Sequence, residues 1–193
     1  MFAKDLSFIG WDEVKRRQLD RLSLVPQWIE LTNLSAGMTV VDIGPGPGVF
    51  TRKYATVVGK RGKVYSIEKS PLALEFLQNE VKNIDNVDVR LADAEHGLVD
   101  APQPDVVFVT DVLHHTDSPR DVLENIFGLV HSTSKVLIAE YDPEGDGKTG
   151  PPLEHRLDAK HLIKWATDVG FSVESTSTQD YEHYYLLLRR TKL

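Results

Sequence analysis

Short runs of β-branched and aliphatic residues alternate along this chain with stretches whose apolar positions recur every three to four residues. The runs TVVDI (39–43), KVYSI (63–67), VDVRL (87–91), DVVFVT (105–110) and KVLIAEY (135–141) predict five strands. FSVESTS (171–177) and HYYLLLR (183–189) predict two more. Between them the helices carry legible punctuation. Ser70 followed by Pro71 opens one with an apolar face of Leu74, Leu77 and Val81. Ser118 and Asp121 have the spacing of a capping box ahead of Val122, Ile126, Leu129 and Val130. Asp158 caps a third, bearing Leu162, Trp165 and Val169, and Gly170 falls where a left-handed C-terminal cap is wanted. Ahead of the first strand, periodic stretches at 11–22 and 26–34, the second led by Pro26, predict helices over one edge or the mouth of the sheet.

This alternation is the pattern of βαβ units around a mostly parallel sheet. The stretch TQDYE (178–182) is too short for a parallel crossover, so the last two strands are expected to pair antiparallel. The expected fold is α/β: a three-layer sandwich whose seven-stranded, mostly parallel sheet, with helical crossovers between the first five strands, ends in a C-terminal antiparallel hairpin. One domain is expected over 1–193, with 1–35 as a helical cap and 36–193 as the core.

VVDIGPGPGVF (40–50) changes the picture from fold to chemistry. Gly44, Gly46 and Gly48 directly follow a buried strand and precede a helix. Glycine suits a turn with positive φ and a close approach of ligand to backbone, and a helix N-terminus offers free N–H groups to an anion. A dinucleotide loop would place its third glycine where Val49 stands, and the Gly-Lys-Ser/Thr of a P-loop is absent. A tight turn without ligand is the remaining alternative. Glu68, Asp93 and Asp111 follow the second, third and fourth strands, and with Asp42 they are positioned to converge outside the carboxyl ends of the sheet, where ligands of open α/β sheets bind.

Composition narrows the partners. The net charge of −7 gives no overall field for a polyanion, and Arg52, Lys53, Lys60, Arg61 and Lys63 have no interleaved aromatics, so nucleic acid is not an expected partner. There is no cysteine, which excludes disulfides, thiolate metal sites and cysteine nucleophiles. No apolar run approaches the roughly 20 residues of a membrane helix, and the opening MFAKDLSF has no signal-peptide core. A soluble, cytoplasmic protein without a membrane partner is expected.

These motifs together resemble a class I S-adenosylmethionine-dependent methyltransferase of the Rossmann-like, small-molecule type, over about 35–190. The resemblance implies S-adenosylmethionine as cofactor, S-adenosylhomocysteine as product, and cofactor contacts from Asp42, Gly44, Gly46 and Gly48. It implies that Glu68 binds the ribose hydroxyls, that Asp93 and Ala94 read adenine, and that Thr110 and Asp111 line the methionine part. Pro45 and Pro47 stiffen the loop compatibly with the family. The cysteines of arsenite methyltransferases and the Asn-Pro-Pro-Tyr motif of amino-methylating enzymes are absent; the fourth strand runs into TDVLHH. The acceptor is expected to be a small molecule. The alternatives are a non-catalytic domain or subunit that binds S-adenosylmethionine, and a nicotinamide-dependent oxidoreductase, against which the glycine spacing and Asp42 speak.

Methyl transfer needs position and electrostatics more than a catalytic dyad. His114 and His115, just past the fourth strand, are the candidates for a general base; cofactor contact or packing are the other readings, and Asp117 is placed to orient a histidine or to precede the helix cap. No third ligand stands at a metal-binding spacing from them, so no metal is expected. The Gly- and Pro-rich segment DPEGDGKTGPPLEHRL (142–157) is expected to overhang the acceptor site. Tyr141, His155 and Arg156 are its substrate-contact candidates, Arg156 for an anionic acceptor, with a solvated lid as the alternative. Trp11, Phe8 and Trp28 either line an acceptor pocket or pack the N-terminal helices onto the sheet.

Overall fold

A computed structural model describes residues 9–98 and 101–191; Phe8 lies outside this range. The strands are β1 (Thr39–Ile43), β2 (Lys63–Glu68), β3 (Val87–Leu91), β4 (Val106–Thr110), β5 (Lys135–Tyr141), β6 (Phe171–Gln179) and β7 (His183–Arg190). The helices are α1 (Trp11–Asp20), α2 (Val25–Thr32), α3 (Val49–Val58), α4 (Pro71–Val81), α5 (Pro119–Leu129) and α6 (Ala159–Val169). The sheet has seven strands in the order β3-β2-β1-β4-β5-β7-β6, and β7 alone runs against the rest. It is the Rossmann-like, mostly parallel sheet closed by an antiparallel hairpin that the strand pattern implies.

The caps act as their chemistry demands. Ser70 Oγ accepts from Ala73 N at 3.3 Å, Ser118 Oγ from Asp121 N at 3.3 Å, and Asp158 Oδ1 from Lys160 N at 2.7 Å. Gly170 ends α6 at φ 117°, a conformation that a Cβ disfavours. One expectation fails. The connection from β3 to β4 contains no helix among the described residues. Gly97, Pro102 and Pro104 punctuate it and disfavour a continuous helix there.

Apolar residues of the central strands face alternately up and down. Val41, Ile43, Val107 and Ile138 pack with Leu123, Ile126 and Leu162 of α5 and α6. Val40, Phe108 and Leu137 pack on the opposite face with Trp28, Phe50 and Tyr54 of α2 and α3. Trp28 meets Phe50 edge-on at 5.2 Å and Tyr54 stacks on Phe108 at 3.9 Å. Trp28 is therefore a core residue and not a pocket wall. Both faces of β1, β4 and β5 are covered, which is why these strands read as continuous apolar runs.

The register positions the site. Ile43 pairs with Ile67 on one side and Val109 on the other, so Gly44, Glu68 and Thr110 emerge side by side. The chain turns from β1 toward β2 and later returns to place β4 on the other flank, making β1 and β4 the switch point of the sheet. Helix α1 lies over this mouth. Among the described residues no helix is long and apolar enough to cross a membrane.

Candidate cofactor and acceptor site

A cavity of about 870 Å³ runs along the carboxyl ends of β3, β2, β1, β4 and β5. Gly44, Gly46, Glu68, Asp93, Ala94, Thr110, Asp111, His114, His115, Tyr141 and His155 all line it. Asp42, Gly48 and Arg156, expected among them, do not.

The glycine loop is held by the protein itself. Gly44, Gly46 and Gly48 take φ of 62°, 53° and 82°. A Cβ at Gly44 would stand 2.5 Å from Val112 Cγ2, one at Gly48 2.4 Å from Leu77 Cδ1, and one at Gly46 3.5 Å from Gln18 Nε2. The absent side chains thus make room for Val112 and Leu77, while Gln18 clamps the loop from above. Gln18 Nε2 donates to Pro45 O at 3.0 Å and its Oε1 accepts from Val49 N at 3.2 Å, capping α3. Sequence reading missed Gln18, because its partners lie 27 and 31 residues away.

Glu68 sits where the ribose-binding acid was expected. Its Oε2 accepts from Gly46 N at 3.1 Å and its Oε1 from Ser70 N at 2.8 Å. Burial pushes its carboxyl above the ordinary range, while those N–H groups pull the other way. Asp42 is set behind the loop at 1 % exposure and accepts from Thr51 Oγ1 at 2.6 Å, tying β1 to α3. Burial, with a smaller contribution from the Glu68 charge, pushes Asp42 up to about 7. A carboxylate buried so deeply serves the loop rather than facing the cavity. Asp93 accepts from Glu95 N at 3.0 Å, shaping the turn that presents Ala94.

At the other end, both oxygens of Asp111 are engaged. Oδ2 accepts from Arg21 Nη2 at 2.6 Å, and Oδ1 lies 2.7 Å from His183 Nε2. Burial acts to raise the Asp111 carboxyl, but the Arg21 and His183 charges hold it well below the usual range. Arg21 Nη1 donates to Tyr141 Oη at 2.6 Å. Burial, reinforced by Asp111, holds the Tyr141 hydroxyl protonated far above neutrality. His114 turns Nδ1 toward Glu140 Oε2 at 2.6 Å, and its ring lies 4.0 Å from that of His115. Glu140, Arg21 and His183 were not singled out in the sequence. The signal for Glu140 was there: an acid inside the apolar run KVLIAEY must be paired if that strand is buried.

Arg156 is corrected from substrate contact to loop staple. Its side chain is fully buried, and its guanidinium donates to Pro151 O, Asp142 O, Thr149 O and Glu182 Oε2. Four of its five N–H donors are spent on the loop and on Glu182, and Arg156 does not line the cavity. Glu182, in the β6–β7 turn, also accepts from Gly147, Lys148 and Thr149 N–H at 2.8, 2.9 and 3.1 Å. The 142–157 loop is therefore a built cover. Arg156 and those amides lower the Glu182 carboxyl from 4.5 to about 2. A depressed acid stabilises the fold above its unfolded value and loses that contribution as pH falls through the folded one. The melting difference between wild type and Glu182→Gln is therefore expected to be largest above pH 4.5 and to close toward pH 2. An equal difference at both pH values would show that the carboxylate charge does not hold the loop.

A family model described as a methyltransferase domain matches residues 34–189. The chain belongs to this methyltransferase family. The methyltransferase is similar to a protein-L-isoaspartate O-methyltransferase of Methanococcoides burtonii, 28 % identical over 58 % of this chain and 54 % of the relative. It is also similar to a ubiquinone/menaquinone biosynthesis C-methyltransferase of Ectopseudomonas mendocina, 27 % identical over 61 % of this chain and 47 % of the relative. It spans about half the length of these curated relatives. Among solved structures, a SAM-dependent methyltransferase from Aquifex aeolicus has the same fold, with a TM-score of 0.83 at 21 % identity, covering 94 % of this chain and 99 % of that one. The cofactor of the family is S-adenosylmethionine. The cavity fits it: the acid at the end of β2 stands between the Asp-Ala turn after β3 and the glycine loop after β1, along one continuous wall.

Proposed function

We propose that this chain transfers a methyl group from S-adenosylmethionine to a small-molecule acceptor held beneath the 142–157 loop. One observation carries the reading. The cavity that begins at Asp93, Ala94 and Glu68 continues without interruption to Tyr141, Pro151, Pro152 and His155, under α1 and the loop. Its volume of about 870 Å³ is toward the upper end of the roughly 300–1,000 Å³ of small-ligand sites, room for a donor and a compact acceptor together. The two curated relatives are named for a protein isoaspartate and for quinone biosynthesis, and a roofed chamber favours the small acceptor.

Bound there, S-adenosylmethionine supplies a methyl carbon activated by a positively charged sulfur. The chain supplies placement. Of the residues lining the cavity, Glu68 would accept from the ribose hydroxyls, the Asp93–Ala94 turn would hold adenine, and the Gly44–Gly46 backbone and Thr110 would border the methionine part. Helix α1 and Pro151–Pro152 border the same cavity on its outer side. Holding two reactants in line is worth roughly 7–11 kcal/mol of barrier.

Calorimetric titration with S-adenosylmethionine, S-adenosylhomocysteine and NAD tests the cofactor. The first two are expected to bind and NAD is not. Glu68→Ala is expected to weaken S-adenosylhomocysteine about tenfold or more, since a hydrogen bond to a charged group is worth roughly 1.5–3 kcal/mol. Binding of NAD alone, or full affinity in Glu68→Ala, would sink the reading.

A further inference from the structure

Glu140 is fully buried in β5, where an unpaired carboxylate costs several kcal/mol. The structure pairs it three times. Oε1 accepts from Val112 N at 3.0 Å and Leu113 N at 2.6 Å, and Oε2 lies 2.6 Å from His114 Nδ1. The two amides bind the segment leaving β4 to the end of β5. The third contact sets the ring. A carboxylate only accepts, so Nδ1 carries the proton, and Nε2 is the nitrogen left for the cavity that His114 lines. A base whose far nitrogen is fixed by a buried acid is an arrangement suited to general-base catalysis.

We propose that His114 Nε2 takes the proton released in methyl transfer, that Glu140 positions it, and that the acceptor is a neutral hydroxyl compound. The proposal rests on the methyl-transfer reading above. The acceptor oxygen forms its bond to the methyl carbon as the carbon–sulfur bond breaks and its electron pair stays on sulfur. The O–H proton passes to Nε2, and His114 returns it to water once product has left. A carboxylate or thiolate arrives without a proton to lose, and a neutral amine attacks through its lone pair and sheds its proton afterwards. Among these oxygen, sulfur and nitrogen acceptors, the hydroxyl is the one for which this pair is needed. Tyr141, held protonated, does not share the role.

The groups facing His114 are Glu140 on β5, Asp111 after β4, Arg21 of the α1 C-terminus, and the rings of Tyr141 and His115. Burial lowers the His114 pKa and Arg21 opposes its charge, yet Glu140 and Asp111 prevail and raise it above 6.5. The basic form is therefore gained as pH rises through that raised value, and turnover is expected to rise with it.

The test is nitrogen NMR of the histidine rings in the intact protein with S-adenosylhomocysteine present. Wild type is expected to show the Nδ1–H tautomer of His114 and a titration above 6.5. In Glu140→Gln the amide oxygen stays on the Val112 and Leu113 N–H groups and its NH2 faces Nδ1, so the tautomer inverts to Nε2–H and the titration moves down. With labelled S-adenosylmethionine and a panel of small phenols, alcohols and matched carboxylates, label is expected in hydroxyl members. The kcat for these is expected to fall about 100-fold in Glu140→Gln, the lower range of general-base effects, with KM nearly unchanged. An Nε2–H tautomer in wild type, an uninverted tautomer in Glu140→Gln, or label in carboxylates alone overturns the proposal. Loss of S-adenosylhomocysteine binding in wild type instead overturns the methyl-transfer reading, and the tautomer is read independently of it.

Discussion

Asp111→Ala is expected to lower stability by about 3–5 kcal/mol, the usual cost of breaking a buried ion pair from one side. Three segments remote in sequence meet at this carboxylate: Arg21 after α1, His183 opening β7, and Asp111 itself after β4. The alanine leaves the Arg21 guanidinium, whose side chain is 10 % exposed, without its anion, and His183 Nε2 without its partner. For a domain of this size each kcal/mol moves the midpoint by about 2–4 °C, so a fall of roughly 6–20 °C is expected in a thermal melt. Asp111→Asn keeps an acceptor and suits the φ of 59° at this position, and should lose less. A melt of Asp111→Ala within about 2 °C of wild type would show that the three-way contact contributes nothing net. The consequence for function is that α1, which carries Gln18 over the glycine loop and Arg21 to the acceptor end, is seated through Asp111.

Gly48→Ala is expected to destabilise by roughly 2–5 kcal/mol, and the reason separates into two parts. A left-handed φ of 82° costs an ordinary residue roughly 1–2 kcal/mol. The new methyl would also stand 2.4 Å from Leu77 Cδ1, in the fully buried core under α4, and overpacking adds typically about 1–3 kcal/mol. Placing Gly48→Ala in a Leu77→Ala background isolates the first part. There the opposing Leu77 Cδ1 is gone, so only the roughly 1–2 kcal/mol of backbone strain is expected. Chemical denaturation of Gly48→Ala in the two backgrounds measures the difference. Equal losses would mean that Leu77 moves aside freely and that the third glycine answers to the turn alone.

Both predictions concern residues that the sequence marks as cofactor contacts and the structure gives other duties. Gly48 faces Leu77, and Asp111 is engaged by Arg21 and His183; Asp42, a third residue so marked, faces Thr51, and neither Gly48 nor Asp42 borders the cavity. Their spacing in VVDIGPGPG was legible because a strand, a left-handed turn and a helix start follow each other within one local segment. Which side of that segment meets ligand and which meets α4 is a matter of layer packing.

The same division runs through the molecule. The sequence by itself determined the strands, the caps at Ser70, Ser118 and Asp158, the left-handed Gly170 and the terminal hairpin, and it lined up Glu68, Asp93 and Asp111 at successive strand ends. These depend on backbone preferences, the alternation of apolar positions and connection lengths, all of which act over a few residues. Only the tertiary structure decided what each charged side chain does. Arg156, next to His155 in the chain, turns inward to Glu182 while His155 lines the cavity. Glu140 finds His114 across 26 residues, and Arg21 finds Asp111 across 90. A buried charge must be matched by whatever polar group packing brings within about 3 Å, and strand order, not neighbourhood in sequence, chooses that partner.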